Sequence, residues 1–163
     1  MLPAIKKILY CTDLSGNSAA AFRHAVALAK IADADVHVLH VIERLSEDAV
    51  ITLQAFLQDP EKRKAAISER KNLAEKMLIE RQEKFWAGLS AEEQNLRTYI
   101  KSVEVVESYP AETILKKADE LGCDMIIMGG HNRGLSHNFL GSVAKSVLRR
   151  SRVPSMIIPL PSV

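Results

Sequence analysis

The stretch Met125-Ile126-Ile127-Met128-Gly129-Gly130-His131-Asn132-Arg133-Gly134, followed after a short interval by Gly141-Ser142-Val143-Ala144, decides how this chain folds. The apolar run 125–128 has the length of a buried strand, while Leu140, Val143, Ala144, Val147 and Leu148 repeat at helical spacing. A glycine-rich loop lies between them, so the order is strand, loop, helix N-terminus. Such a junction presents unpaired backbone N–H groups and the positive end of a helix dipole, which suits a phosphate. Glycine serves there because a side chain would block close approach of the anion and forbid some backbone angles.

Upstream of that junction the same rhythm repeats. Residues 5–11 form a short apolar run with β character, and Thr12-Asp13-Leu14-Ser15-Gly16-Asn17 reads as a turn. Phe22, Ala25, Val26 and Ala29 then fall on one helical face. The run 36–42 is a second strand, too apolar on both faces for a solvated sheet, and Val103, Val105 and Val106 mark a third. Ala111, Ile114, Leu115, Ala118 and Leu121 mark the next helix, with Gly122 at its C-cap. A fifth strand runs over 153–158, with Pro154 near its start. Strands alternating with helices predict an α/β domain whose parallel sheet is covered on both faces.

One segment breaks the rhythm. Residues 45–95 carry no convincing strand after Ile51. Residues 61–86 are charged and free of Gly and Pro, with Ile67, Ala74, Met77, Leu78 and Phe85 roughly on one face. This spacing predicts a long amphipathic crossover helix packed on the sheet, the alternative being a partner-binding arm.

At 163 residues the chain is expected to make one domain, 1–163, with the helical crossover at about 45–95 as an extension of it. No apolar run approaches the ~20 residues that span a bilayer, and the N-terminus leads into a strand without a signal-peptide pattern. The expected location is the cytoplasm. Cys11 and Cys123 would fall at opposite ends of the sheet, which argues against a disulfide. Net charge is only +2, yet no Asp or Glu occurs from Met125 to Val163, while Arg133, Lys145, Arg149, Arg150 and Arg152 do. Arg133 and Lys145 sit nearest the loop and are the better phosphate candidates; the three later arginines read either as complements to a helix C-terminus or as part of the same basic patch. The patch lacks interleaved aromatic residues, which disfavours nucleic acid. His131 and His137 do not have a zinc spacing, so no metal-ligating set is assigned.

Taken together, Ile8-Leu9-Tyr10-Cys11-Thr12-Asp13, Val38-Leu39-His40-Val41, Pro110-Ala111-Glu112-Thr113-Ile114-Leu115 and Gly129…Gly141-Ser142-Val143-Ala144 resemble the universal stress protein family over nearly the whole chain. The resemblance implies an adenine nucleotide alpha-hydrolase-like fold, a doubly wound five-stranded parallel sheet of order 3-2-1-4-5. Its ligand crevice would lie at the switch point between strands one and four. It also implies site roles. Thr12 and Asp13 would flank the adenosine, and the backbone of Val41 would meet the adenine edge. Met128, Gly129, His131 and Asn132 would line the ribose and first phosphates. Gly141, Ser142 and Val143 would hold the terminal phosphates. The family's usual loop has glycine where this chain has Asn132, and nine residues rather than the eight that separate Asn132 from Gly141. This shorter form resembles a branch of the family that can still hold nucleotide. Asparagine tolerates a left-handed backbone better than most residues, which suits that position. Cys11 replaces the usual proline before Thr12, and Ser108-Tyr109 replaces a glycine common after strand three.

The function so implied is a cytosolic stress-response protein that binds ATP, or ADP or AMP, with or without Mg, as a regulatory homodimer with little or no hydrolysis. The dimer would pair the last strand, where Val153, Ser155 and Ile157 alternate with Met156 and Ile158 on an otherwise open edge. Two other classes stay open: a slow ATPase, and a nucleotide-free interaction module on the same fold. Against the enzyme, Leu135-Ser136 stands where a P-loop needs Lys followed by Ser or Thr. Ser15-Gly16-Asn17-Ser18 resembles the phosphate loop of adenylating enzymes but lacks its second glycine and acid. No catalytic motif is assigned.

Overall fold

A computed structural model describes residues 1–16, 18–130 and 140–159. The elements run β1 (Lys7–Cys11), α1 (Ser18–Ala32), β2 (Asp35–Glu43), α2 (Glu47–Phe56), α3 (Pro60–Ala87), α4 (Ala91–Gln94), β3 (Ile100–Ser108), α5 (Pro110–Leu121), β4 (Met125–Gly129), α6 (Ser142–Arg150) and β5 (Ser155–Ile158). The five strands form one parallel sheet of order β3-β2-β1-β4-β5, as expected. Central strand β1 is flanked by β2 and β4, with Cys11 opposite Leu39 on one side and Met128 on the other.

The period-2 alternation of β1 divides the core between the two faces. Ile8 and Tyr10 pack with Phe22, Ala25, Val26 and Ala29 of α1 and with Ala74, Leu78 and Trp86 of α3. Leu9 and Cys11 pack with Ile114 and Ala118 of α5 and Ala144 and Val147 of α6. Ile126 and Ile127 of β4 split the same way, and both are fully buried. Helices therefore cover both faces, which explains why the central strands read as continuous apolar runs.

Local chemistry sets the helix ends. Asp59 Oδ1 accepts from the N–H of Glu61 and Pro60 occupies the first turn of α3. Ser46 caps α2 in the same manner, its Oγ accepting from Ala49 N–H at 3.2 Å. Gly122 ends α5 at φ +63°, a left-handed cap that only glycine adopts without strain. Strand β5 begins at Ser155 rather than at Val153. Ser151 Oγ donates to the Val153 carbonyl at 2.7 Å in a tight turn, and Pro154 has no N–H to give a ladder. Trp86 joins Phe85, Phe22 and Tyr10 in one aromatic cluster, with neighbouring centroids 4.7–5.8 Å apart, that seats the end of α3 on α1. No helix among the described residues is long and apolar enough to cross a membrane.

Candidate functional site

The carboxyl ends of β1, β2 and β4 open into a crevice of about 200 Å³. Thr12, Asp13, Val41, Met128, Gly129 and Val143 all line it. They come from four stretches of chain and meet where the strand order reverses, the usual ligand position of an open α/β sheet. Ser142 opens a shallower neighbouring groove instead, with Tyr109, Pro110, Glu112 and Arg150, and Val143 borders both. Gly141 is the residue before α6 and lines neither space. His131, Asn132 and Arg133 lie outside the described residues.

The β1 side of the crevice is braced by its own hydrogen bonds. Thr12 is buried; its N–H continues the ladder to the Leu39 carbonyl at 3.0 Å and its Oγ1 accepts from Leu14 N–H at 3.1 Å. Asp13 Oδ1 accepts from Ser15 N–H at 2.8 Å, an Asx turn, while the residue itself is exposed. Between these two turns Leu14 sits at φ +57°, in the left-handed region that a branched side chain rarely enters. Such a residue costs about 1–3 kcal/mol and persists only where its surroundings fix it. His40 Nδ1 lies 2.7 Å from the Thr12 carbonyl, and since a carbonyl only accepts, Nδ1 carries the proton. Tyr10 O–H donates to the Ser18 carbonyl at 3.0 Å, and burial pushes its phenol well above the usual range. Burial does the same to the Cys11 thiol on the crevice floor, so it stays neutral and un-nucleophilic.

The opposite side is built differently. α6 starts at Ser142 with Gly141 as its N-cap, no side-chain cap and no acid in its first turn. Lys145 N–H closes the first helical turn on the Gly141 carbonyl, which leaves the N–H groups of Ser142, Val143 and Ala144 without intrahelical acceptors. Val143 and Ala144 turn this end toward the crevice. The acids Asp13 and Glu43 lie on the strand side. Polarity therefore runs across the space, with acceptors at β1 and β2 and donors with a positive dipole end at α6. Among the described residues no group of three His, Cys, Asp or Glu could hold a metal ion.

Sequence reasoning missed several lining residues. Ser15, Ser18, His40 and Glu43 border the crevice, and Ser15 Oγ is buried without a partner among the described residues. Position alone could have flagged His40 and Glu43, since both follow from the strand that holds Val41. Ser15 and Ser18 were marked only as the ends of an incomplete phosphate-loop pattern, and the Arg81 side chain that reaches them from a distant helix has no local signal.

Comparison with known proteins agrees with this fold. The model of the universal stress protein family matches residues 4–159. Universal stress protein MJ0577 of Methanocaldococcus jannaschii is 30% identical over 156 residues, 94% of each chain. The solved structure of MJ0577 superposes with a TM-score of 0.64 over 99% of this chain and 100% of its own, at 28% identity. A universal stress protein in complex with cAMP shares the fold at a TM-score of 0.54, with 23% identity and 98% and 100% of the chains covered. One from Archaeoglobus fulgidus in complex with dAMP does so at 0.50, with 17% identity and 94% and 97% covered. From the residues of its crevice, its sheet order and these likenesses, the chain belongs to the universal stress protein family.

Proposed function

We propose that this chain binds an adenine nucleotide, ATP or its ADP and AMP relatives with magnesium on the phosphates, in the crevice between β1 and β4. It acts in the cytoplasm as a regulatory, stress-responsive homodimer with little or no hydrolysis. The observation that carries the reading is the convergence of Thr12, Asp13, Val41, Met128, Gly129 and Val143 on one crevice whose donors and acceptors lie on opposite sides. Relatives of the same fold hold cAMP and dAMP, both adenine nucleotides.

In this reading Asp13 accepts from the adenosine hydroxyls, Thr12 lies beside it, and the Val41 backbone meets the adenine edge. Met128 and Gly129, with His131 and Asn132, line the ribose and first phosphates. The α6 start, Gly141, Ser142 and Val143, takes the terminal phosphates through its open N–H groups, with Arg133 adding charge. Drug-sized ligand sites run to about 300–1,000 Å³, so a crevice of about 200 Å³ encloses part of the ligand and leaves the rest to α6.

The dimer is assigned to β5, which pairs with β4 on one side and is last in the sheet order. Ile126 and Gly130 donate to the carbonyls of Pro154 and Ile158, so the backbone groups of Ser155 and Ile157 face outward. Sedimentation equilibrium should give a dimer for the native chain and a monomer for Ile157→Pro, which removes an outward N–H. A native monomer at high concentration refutes this part.

The test of the nucleotide itself is chemical. Freshly purified protein is denatured, and the released small molecules are identified by chromatography and mass. Stoichiometric adenine nucleotide, or rebinding at micromolar Kd, about −8 kcal/mol, supports the reading. No nucleotide and no rebinding leaves an interaction module on a nucleotide-binding scaffold.

A further inference from the structure

The loop that carries Asp13 is held from outside by a residue of the long crossover helix. Arg81 lies on α3, more than sixty positions away in sequence, and its guanidinium Nη1 donates to the Ser15 carbonyl and to Ser18 Oγ, the latter at 3.2 Å. Ser18 is the first residue of α1, and its carbonyl also receives the Tyr10 hydroxyl. The side chain thus ties the exit of the Asp13 turn to the start of the following helix. Arg81 itself is well anchored. Phe85, one turn along the same helical face, packs edge-on against Phe22 of α1 at 4.7 Å, and Leu78 is buried in the same core.

The residue enclosed by this bracing is Leu14, at φ +57°. Its left-handed backbone is flanked by Asp13 and Ser15, both of which line the crevice, so a change at Leu14 reaches both. The Thr12 and Asp13 turns are local, and each spans two residues. His40 and Leu39 tie the loop at Thr12, and Arg81 adds a long-range tie at its far end, at Ser15 and Ser18.

We infer that Arg81 is a positioning residue for nucleotide binding, holding the strained Leu14 loop so that Asp13 stays aimed into the crevice. The inference rests on the crevice being the nucleotide site. It also gives α3 a consequence beyond covering the sheet, because a shift of that helix is transmitted to the Asp13 loop through one guanidinium.

Two measurements keep this inference separable from the nucleotide assignment. In the ligand-free full chain, amide hydrogen exchange at Leu14 and Ser15 should quicken about tenfold or more in Arg81→Ala, the scale of one charge-assisted hydrogen bond, while the β1 and β4 amides keep their protection. Unchanged exchange at those two amides overturns the inference whether or not nucleotide binds. In ATP titrations, Arg81→Ala should raise Kd about tenfold and Arg81→Lys less, since a lysine can still reach the Ser15 carbonyl. The decisive arm is the double-mutant cycle with Leu14→Gly. Glycine adopts the left-handed angle freely, so the Arg81→Ala loss should shrink to about threefold or less in that background. An equal loss in both backgrounds means Arg81 acts by charge or by general packing, which overturns the positioning role. Should ATP fail to bind any of the chains, the nucleotide reading fails and the exchange result alone decides the role of Arg81.

Discussion

On the β1 side of the crevice the polar groups are already committed to one another: Thr12 to Leu14 and Leu39, Asp13 to Ser15, His40 to the Thr12 carbonyl. On the α6 side the first N–H groups have no side-chain cap and no intrahelical acceptor. One wall is cross-bonded and locally strained at Leu14, and the other leaves its first N–H groups without a cap among the described residues. The difference teaches what each wall can recognise. A braced wall with fixed acceptors suits a group of defined shape and donor pattern, such as a nucleoside. An open helix end suits any anion that reaches it, because the dipole and free N–H groups specify charge more than outline.

The largest expected effect comes from closing the open wall. Gly141 has φ −67° and ψ 167°, extended backbone open to any residue, so Gly141→Leu should fold normally. ATP binding should nonetheless fall at least roughly hundredfold in calorimetric titration, the scale of losing two charge-assisted hydrogen bonds at about 1.5–3 kcal/mol each. Unchanged affinity would remove the phosphates from α6. Next, Asp13→Asn keeps an oxygen for the Ser15 N–H but removes the charged acceptor. It should weaken ATP and adenosine alike, by roughly tenfold, about 1.5 kcal/mol. If only ATP is affected, Asp13 belongs to the phosphate wall and the comparison is drawn the wrong way round.

A smaller effect separates the walls without mutation. Raising salt from about 0.05 M to about 0.5 M shortens the Debye length well below 10 Å. Affinity for ATP should fall by a few fold, whereas affinity for adenosine should hold. Parallel loss of both would mean that charge is spread over the whole crevice.

The smallest effect lies at the opposite end of the sheet from the site, before β4, and concerns stability. Burial raises Cys123 from the ordinary 9.0 to about 11. The folded state therefore keeps a proton that the unfolded chain releases, and this contribution is full below about pH 9 and is lost as pH rises through about 11. Denaturant midpoints should decline across that window, and Cys123→Ala should decline less steeply. An identical decline would assign the alkaline loss to other groups, the buried Cys11 and Tyr10 foremost among them.

The fold was legible because its signals are local and periodic. The buried runs of β1 and β4 and the α1 face at Phe22, Ala25, Val26 and Ala29 announce themselves by spacing. β3 was harder: as an edge strand it leaves Val103 exposed, so its valines mark the strand without marking one core face. Helix α2 left little trace, since none of its residues is buried and Ile51 and Phe56 face outward. Six of the residues that line the crevice were named from the family resemblance. The brace around them was not. A left-handed leucine, a histidine bonded to a carbonyl twenty-eight positions away and an arginine reaching over from α3 are products of tertiary packing, and no local pattern encodes them.

The most direct test of the account is two-dimensional NMR of nucleotide-emptied protein titrated with ATP and magnesium, then with adenosine alone. ATP should shift the amides of Thr12, Asp13, Val41 and Gly129 together with Ser142, Val143 and Ala144, and adenosine should shift the first group while leaving the α6 amides in place. Shifts confined elsewhere, or the same pattern from both ligands, would contradict a crevice with one nucleoside wall and one phosphate wall.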